Sequence, residues 1–281
     1  MQTVLVIGAS GKVGRHVVAG SHAAGAKVRA LTRDPLRATG RPATVVRGDL
    51  TDPRSLAAAA EGVDAVYLMW PFFTAAAAPA ALDVLAGHAA RVVLLSSGSV
   101  DGTIPAAAPI ARFHAEVERT VEQRAAEWTI LRPAGFAADS LDWAASIRAA
   151  GVVAGAFPDA AGAWIHEADI AAVAVHALLD AGHDRQRYAL TGPQSLTMAE
   201  QARIIGEVTG RPVRWQTRSR AEASAQLIAE GWPDEYAEVA LRVQEQLTHA
   251  PAEVTGTVAD ITGEPARTYR QWVADHADAF R

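Results

Sequence analysis

The sequence predicts an α/β protein: a doubly wound parallel sheet with helices on both faces, followed by a smaller, mixed C-terminal lobe. Three observations predict it. The apolar run Thr3-Val4-Leu5-Val6-Ile7 enters a glycine-punctuated turn and then a helical pattern. Short Val/Leu/Ile runs alternate with helical patterns from residue 3 to residue 133, which predicts a parallel sheet with right-handed crossovers. Beyond Phe136 the alternation weakens. We expect residues 1–135 to form the core and residues 136–281 a lobe interleaved with it rather than separately linked.

The opening strand reads as an unbroken apolar run because a buried parallel strand is covered on both faces. Gly8, Gly11 and Gly14 follow it with the spacing G-x-x-G-x-x-G. Gly8 can take the backbone angles that a sharp exit needs. Gly11 lets a phosphate approach the backbone, and Gly14 lets the new helix pack closely on the strand. The helix N-terminus offers N–H groups and a partial positive charge, which suit a pyrophosphate. Ser10, Lys12 and Val13 lie in the same turn. A phosphate-loop NTPase motif is not met, because two residues separate Gly8 from Gly11 and Val13 follows Lys12.

The totals narrow the classes. The chain has 281 residues, half of them apolar, and a net charge of −5 with no basic tract. This is ample for a core and does not suit nucleic acid. Absence of cysteine excludes disulfides, thiolate nucleophiles and Cys-ligated zinc. The opening residues lack the basic leader of a secretory signal. Ala65 to Leu82 carries no charge, but Pro71 and Pro79 interrupt it and much of it is alanine. A strand, a loop and a helix start explain it better than a membrane span. We expect a cytoplasmic protein, monomer or homodimer, with no membrane and no nucleic-acid partner.

A first helix is predicted over about 12–24, ended by Gly25, and a second strand over 27–32. At the end of such a strand an acidic residue binds a ribose 2′-hydroxyl and an arginine accepts a 2′-phosphate. Thr32-Arg33 therefore favours NADPH, and Asp34 keeps NADH possible. A third strand, 44–47, ends at Gly48-Asp49-Leu50. Asp49 there can meet the adenine amino group or cap the following turn. A helix over 53–60 precedes a strand over 64–69 that leads into Trp70-Pro71-Phe72-Phe73. Strand ends on this side line the ligand crevice, so Trp70 and Phe72 either wall a substrate or fill the core.

A helix over 75–86 and a strand over 92–95 follow, ending at Ser96-Ser97-Gly98-Ser99. No G-x-S-x-G elbow surrounds these serines, so a hydrolase is not indicated. A long helix over 109–126 carries His114 and several glutamates, whose default is a solvated face. A sixth strand over 128–131 precedes Arg132-Pro133. In the lobe a helix over 139–149 should give way to a Gly/Ala-rich loop through Gly162. Trp164-Ile165-His166 reads as a short strand, and Asp169 as the N-cap of a helix over 170–179. A strand over 188–190, a helix over 197–209 stopped by Gly210, and a strand over 213–215 complete the pattern. The remainder, from Ser219, is mainly helical.

The fingerprint, Thr32-Arg33, Gly48-Asp49-Leu50, Ser96-Ser97 and Trp128-Thr129-Ile130-Leu131-Arg132-Pro133 together resemble the NmrA-like, atypical short-chain dehydrogenase/reductase group. Isoflavone, quinone and triphenylmethane reductases are of this kind. The resemblance extends through Asp169-Ile170-Ala171-Ala172-Val173-Ala174 and Tyr188-Ala189-Leu190-Thr191-Gly192-Pro193. It implies a dinucleotide-binding core of Rossmann type. It implies NAD(P)H held by Ser10 to Val13, Arg33 on the 2′-phosphate, Asp49 near adenine, and Met69-Trp70-Pro71 beside the nicotinamide ribose. Ser96 and Pro133, at strand ends on the crevice side, belong to the same expected site.

One departure matters. The only lysines are Lys12 and Lys27, so the usual Tyr-x-x-x-Lys pair is absent. In isoflavone-reductase-like members a lysine precedes the Ala-Glu-Val stretch; here His114 does. A histidine titrates near neutral pH and can protonate a developing enolate or phenolate, so His114 is the candidate general acid, with Ser97 beside it. Equally, His114 can serve only to hold the serine loop. His166-Glu167 lacks the second histidine of H-E-x-x-H, and His176 and His183 are poorly spaced, so no metal site is expected. An apolar mouth of Trp70, Phe72, Phe136 and Trp143 suits an aromatic or conjugated small-molecule substrate. The expected function is an NAD(P)H-dependent reductase of a quinone, enone or ketone. A cofactor-binding sensor that does no chemistry is the alternative, and a sugar-nucleotide epimerase relative a more distant one.

Overall fold

The structure is a computed structural model that describes residues 1–34, 42–101 and 108–281. In chain order the first elements are β1 (Thr3–Ile7), α1 (Gly14–Ala23), β2 (Lys27–Thr32), β3 (Thr44–Arg47), α2 (Pro53–Ala60), β4 (Ala65–Met69), α3 (Ala78–His88) and β5 (Arg91–Leu95). A 3₁₀ turn (Gly98–Asp101), α4 (Pro109–Arg124) and β6 (Glu127–Pro133) follow. Then come a 3₁₀ segment (Ala137–Trp143), α5 (Ala144–Ala150), β7 (Val152–Gly155), β8 (Ala161–Gly162), α6 (Glu167–Leu179) and β9 (Gln186–Leu190). The chain ends with β10 (Leu196–Thr197), α7 (Met198–Thr209), β11 (Arg214–Thr217), α8 (Arg220–Ala229), α9 (Asp234–Gln246), α10 (Thr257–Thr262) and α11 (Tyr269–Asp275).

Contacts divide the chain into two compact units. The first comprises Met1–Pro133, Glu167–Leu190 and Thr257–Glu264; the second comprises Ala134–His166, Thr191–Gly256 and Pro265–Arg281. Residues 167–190 and 257–264, which the sequence analysis places in the lobe, thus belong to the first unit. The reason is packing: β9 extends the main sheet, α6 lies on β4, β5 and β6, and α10 lies on α6 and β9.

The first unit is a seven-stranded sheet in the order β3-β2-β1-β4-β5-β6-β9, and every neighbouring pair is parallel. Its strands are short Val/Leu/Ile runs, because both faces are covered. On one face Leu5, Val66, Leu68, Val92, Leu94 and Ile130 pack against α2, α3 and α4 through side chains such as Leu56, Leu82 and Val117. On the other, α1 packs on α6. Strand order reverses between β1, which pairs with β2, and β4. That reversal opens a crevice at the carboxyl ends of the strands. Local signals set the boundaries: Asp52 caps α2, accepting from the Arg54 N–H at 3.1 Å, with Pro53 at the first helical position.

The second unit holds two small sheets and five α-helices among the described residues. Its core gathers Ile147, Val153, Ile205, Tyr269, Trp272 and Phe280. Thr197–Glu200, Ser219–Glu222 and Thr268–Gln271 form capping boxes that start α7, α8 and α11. Gly151 and Gly210 end α5 and α7 in the left-handed conformation.

Three expectations are corrected here. The stretch read as a Gly/Ala-rich loop contains β7 and β8; β7 pairs in parallel with β11, from Val152↔Arg214 to Gly155↔Thr217. Its glycine serves packing, since a Cβ on Gly155 would lie 2.9 Å from the Trp215 ring. Trp164–His166 is not a strand: it makes a single bridge, Phe136↔Ile165. Asp169 is not an N-cap, because α6 begins at Glu167 and Asp169 is buried in its first turn. An acidic side chain there still suits the helix dipole.

The Tyr67 hydroxyl, on the central strand β4, is fully buried with no hydrogen-bond partner among the described residues. A buried hydroxyl left unmatched costs about 1–3 kcal/mol. Tyr67→Phe removes it at constant shape, so the variant should be as stable as the parent or up to about 1–3 kcal/mol more stable in urea unfolding. A clear loss of stability would show that the hydroxyl is satisfied.

Candidate functional site

The site is built at the exit of β1. Gly8 has φ +83°, a conformation that side chains disfavour, and a Cβ there would lie 2.9 Å from the Met69 terminal methyl. A Cβ on Gly14 would lie 2.1 Å from the Gly8 carbonyl oxygen, which no side chain can tolerate. The turn is also closed on itself, since the Gly11 N–H donates to the Gly8 carbonyl at 2.9 Å. That N–H is therefore committed within the turn. Val13 and Gly14 are buried under the helix start, and Ser10 and Lys12 are exposed. Just beyond, Arg15 of α1 donates to the fully buried Glu167 of α6 at 2.9 Å.

A groove of about 610 Å³ opens beside this turn. Gly8 to Ser10 form one wall. Thr32 to Asp34 and Gly48 to Leu50, at the ends of β2 and β3, form a second, and Met69, Pro71 and Phe72 a third. The Thr32 hydroxyl accepts from the Asp34 N–H at 3.2 Å, which folds the loop so that Arg33 is exposed. Asp49 Oδ1 accepts from both the N–H and the hydroxyl of Thr51, each at 2.8 Å. These bonds, with Arg33 nearby, hold the Asp49 carboxyl below its ordinary value. The turn-capping role of Asp49 is thus realised, and it faces the groove as well.

Of the two readings of Trp70, the core position is the one realised. Trp70 is 5% exposed, sits in the main core cluster, and donates its indole N–H to the Thr74 carbonyl at 2.9 Å. Its ring meets Phe72 edge-on at 5.2 Å, so it supports Phe72, which lines the groove. Phe136 and Trp143 belong to the second unit, where Phe136 bridges Ile165 and Trp143 packs edge-on against Trp215 at 6.3 Å. Pro133 ends β6, paired with Leu190.

Phe73, next in the segment after β4, is 73% exposed and meets Phe113 edge-on at 6.2 Å. Phe113 in turn lies 4.1 Å from the His114 ring. The β4 exit and the first turns of α4 are therefore neighbours. Burial pushes the His114 imidazole down to about 4, and Glu118 one turn later pulls the other way. The expectation that His114 titrates near neutral pH is corrected accordingly: the ring is neutral at pH 7. It makes no hydrogen bond to Ser96 or Ser97, so the loop-holding role is not realised among the described residues.

Ser96 is buried, and its hydroxyl donates to Glu118. Ser97 Oγ accepts from the Ser99 N–H at 3.2 Å, which leaves its own proton for another acceptor. Glu118, which the sequence analysis leaves among glutamates on a solvated face, is instead buried here. It is 3% exposed and receives Arg132 through Nε at 3.0 Å and Nη2 at 2.6 Å. Arg132 Nη1 also donates to Asp101. The usable signal was spacing: Glu118 follows His114 by four residues and adjoins the apolar positions Val117 and Val121.

Three histidines outside this region have structural partners. His166 faces Asp275 at 3.3 Å, His176 faces Asp180 at 2.7 Å, and His183 meets the Tyr188 hydroxyl at 2.8 Å. Among the described residues no three His, Cys, Asp or Glu side chains are placed to hold a metal ion, and no helix is long and apolar enough to cross a membrane.

With this geometry established, the chain can be set beside known proteins. It is 40% identical over 286 residues to the (4-alkanoyl-5-oxo-2,5-dihydrofuran-3-yl)methyl phosphate reductase of Streptomyces griseus, covering 99% of both chains. It is 33% identical over 285 residues to the NAD(P)H azoreductase of Xenophilus azovorans, again over 99% of both. Among solved structures, the Escherichia coli NADPH-dependent quinone oxidoreductase complexed with NADPH shares the fold. Its TM-score is 0.81 at 24% identity, with 97% of this chain and 99% of that one covered. The NmrA-like family profile matches residues 1–261. The chain belongs to the NmrA-like family.

Proposed function

We propose that this protein is an NAD(P)H-dependent reductase that passes hydride to a small conjugated or aromatic carbonyl compound such as a quinone, enone or ketone. The observation that carries this reading is the groove of about 610 Å³, with the glycine turn on one wall and Arg33 and Asp49 on another. Its size lies within the roughly 300–1,000 Å³ of cofactor sites. It also lies at the reversal of strand order, where dinucleotides bind in such sheets. The glycine turn fits the group, because Gly8 and Gly14 stand where a side chain would collide with Met69 or the Gly8 carbonyl. The names of the relatives support a conjugated acceptor: an acyl dihydrofuranone and an azo compound are both electron-poor π systems.

When bound, the dinucleotide supplies the hydride. In this reading Ser10 to Val13 and the N-terminus of α1 hold the paired phosphates. Arg33 takes the 2′-phosphate, which favours NADPH over NADH, and Asp49 offers Oδ2 to the adenine amino group. Met69 and Pro71 flank the nicotinamide ribose, and Phe72 presents an apolar wall to the acceptor. Ser97 donates a hydrogen bond through its hydroxyl to the oxygen on which charge develops, and solvent supplies the proton that completes the product. His114, neutral at pH 7, acts by donating an N–H to the oxygen on which negative charge develops rather than by giving up an imidazolium proton. The two lysines, Lys12 and Lys27, lie before the site's later strands, so no Tyr-Lys pair shares this task.

The central test is NADPH oxidation by the purified protein against quinones, enones, ketones and an azo dye. Turnover with at least one is expected; tight NADPH binding with no turnover on any would favour the sensor reading. Arg33→Ala should weaken NADPH by about 10–100-fold, the loss of one charge-assisted contact, and leave NADH within about twofold. Tryptophan fluorescence titration reads both, and equal weakening would place Arg33 away from the 2′-phosphate. His114→Ala should lower kcat by at least about tenfold. Because the imidazolium forms only as pH falls toward 4, the parent's rate should show no His114-dependent inflection between pH 6 and 8. An inflection near 6.5 that vanishes in the variant would overturn the neutral-donor role.

A further inference from the structure

Four side chains that the proposed reaction does not consume meet at the carboxyl ends of β5 and β6. Glu118 lies at their centre. Its Oε1 accepts from Ser96 Oγ and from Arg132 Nε at 3.0 Å, and its Oε2 accepts from Arg132 Nη2 at 2.6 Å. Arg132 reaches on to Asp101 in the 3₁₀ turn. The carboxylate is 3% exposed. Stability does not explain such a group, because an apolar side chain of similar volume commonly replaces a buried ion pair at no cost. Its position is informative instead. Ser96 immediately precedes Ser97, Arg132 ends the neighbouring strand, and His114 stands one helical turn before Glu118 on α4.

Resting on the reductase reading, we propose that Glu118 is a positioning residue: clamped by Arg132 and Ser96, it holds the His114-bearing turn of α4 and the Ser96-Ser97 segment in their working arrangement. It touches no reacting atom. Two consequences follow from its contacts. The Ser96 hydroxyl is spent on Glu118, so Ser97 alone of the pair retains a proton to donate. Glu118 is also the one charge that acts on the His114 ring among the described residues, and it partly offsets the effect of burial there.

The test uses the full-length protein with Glu118→Gln and Ser96→Ala. Glu118→Gln keeps the shape and removes the charge. It should lower kcat by about 10²-fold, the scale of a small misplacement of reacting groups, with NADPH affinity within about twofold. It should also move the NMR titration midpoint of the His114 ring to lower pH, because a neighbouring anion favours the protonated ring. An unchanged kcat, or losses of kcat and NADPH affinity together with an unmoved midpoint, would overturn the proposal. Ser96→Ala keeps the Glu118–Arg132 ion pair and decides the matter if Glu118→Gln does not fold. A kcat about tenfold lower at unchanged NADPH affinity supports positioning, and a parental kcat overturns it. If the parent binds NADPH but reduces no acceptor, the reductase reading fails by itself. The His114 midpoint still reports whether Glu118 acts on that ring, supporting the coupling if it shifts and overturning it if it does not.

Discussion

The approach of α1 to the turn after β1 is the contact that the rest depends on. A Cβ at residue 14 would come within 2.1 Å of the Gly8 carbonyl oxygen, and one at residue 8 within 2.9 Å of Met69. Two glycines therefore let the helix start directly against the first strand and let the exit of β4 close beside both. The groove exists because of that closeness. Its walls are the glycine turn, the ends of β2 and β3, and the segment from Met69 to Phe72. A helix displaced by one side chain would separate the N–H groups of its first turn from Arg33 and Asp49. The width of the groove is thus set by backbone contact.

A second constraint lies further along the same sheet edge. There the strand ends are joined by charge. Glu118 connects α4 to Arg132 and Ser96, and Arg132 connects onward to Asp101. Burial of this kind is expensive for each ion separately and is offset only by complete pairing. The arrangement accordingly tolerates little movement. His114, on the same helix, is placed by this rigid surround, while its own ring is desolvated enough to stay neutral. The two ends of the proposed site thus use different physics: steric closeness at the phosphates and paired charge near the acceptor.

Much of the fold was legible in the residues. Six strands and four helices up to residue 133 were readable because buried parallel strands show as apolar runs and because a glycine such as Gly25 marks where a helix stops. The position of Gly8, Arg33 and Asp49 around one groove was equally readable, since it follows from local backbone geometry and from place at a strand end. Less was legible beyond residue 136. β7 reads as a Gly/Ala loop because Gly155 yields its space to the ring of Trp215, sixty residues away in sequence. The strand Gln186–Leu190 carries no mark of which sheet it joins, and only its pairing with β6 decides that.

By itself, the sequence determined the fold class, the location of the glycine turn, and the lack of cysteine and of a Tyr-x-x-x-Lys motif, because these follow from residue type and near-neighbour order. Tertiary structure alone decided which side chains are desolvated and by whom. It decided that Trp70 fills the core and supports Phe72, and turned Glu118 from a solvated charge into a buried clamp. It also lowered His114 out of the neutral range. The physical reason is common to all three: burial and charge pairing depend on what distant segments bring to a position, and a linear pattern does not encode the dielectric around a side chain.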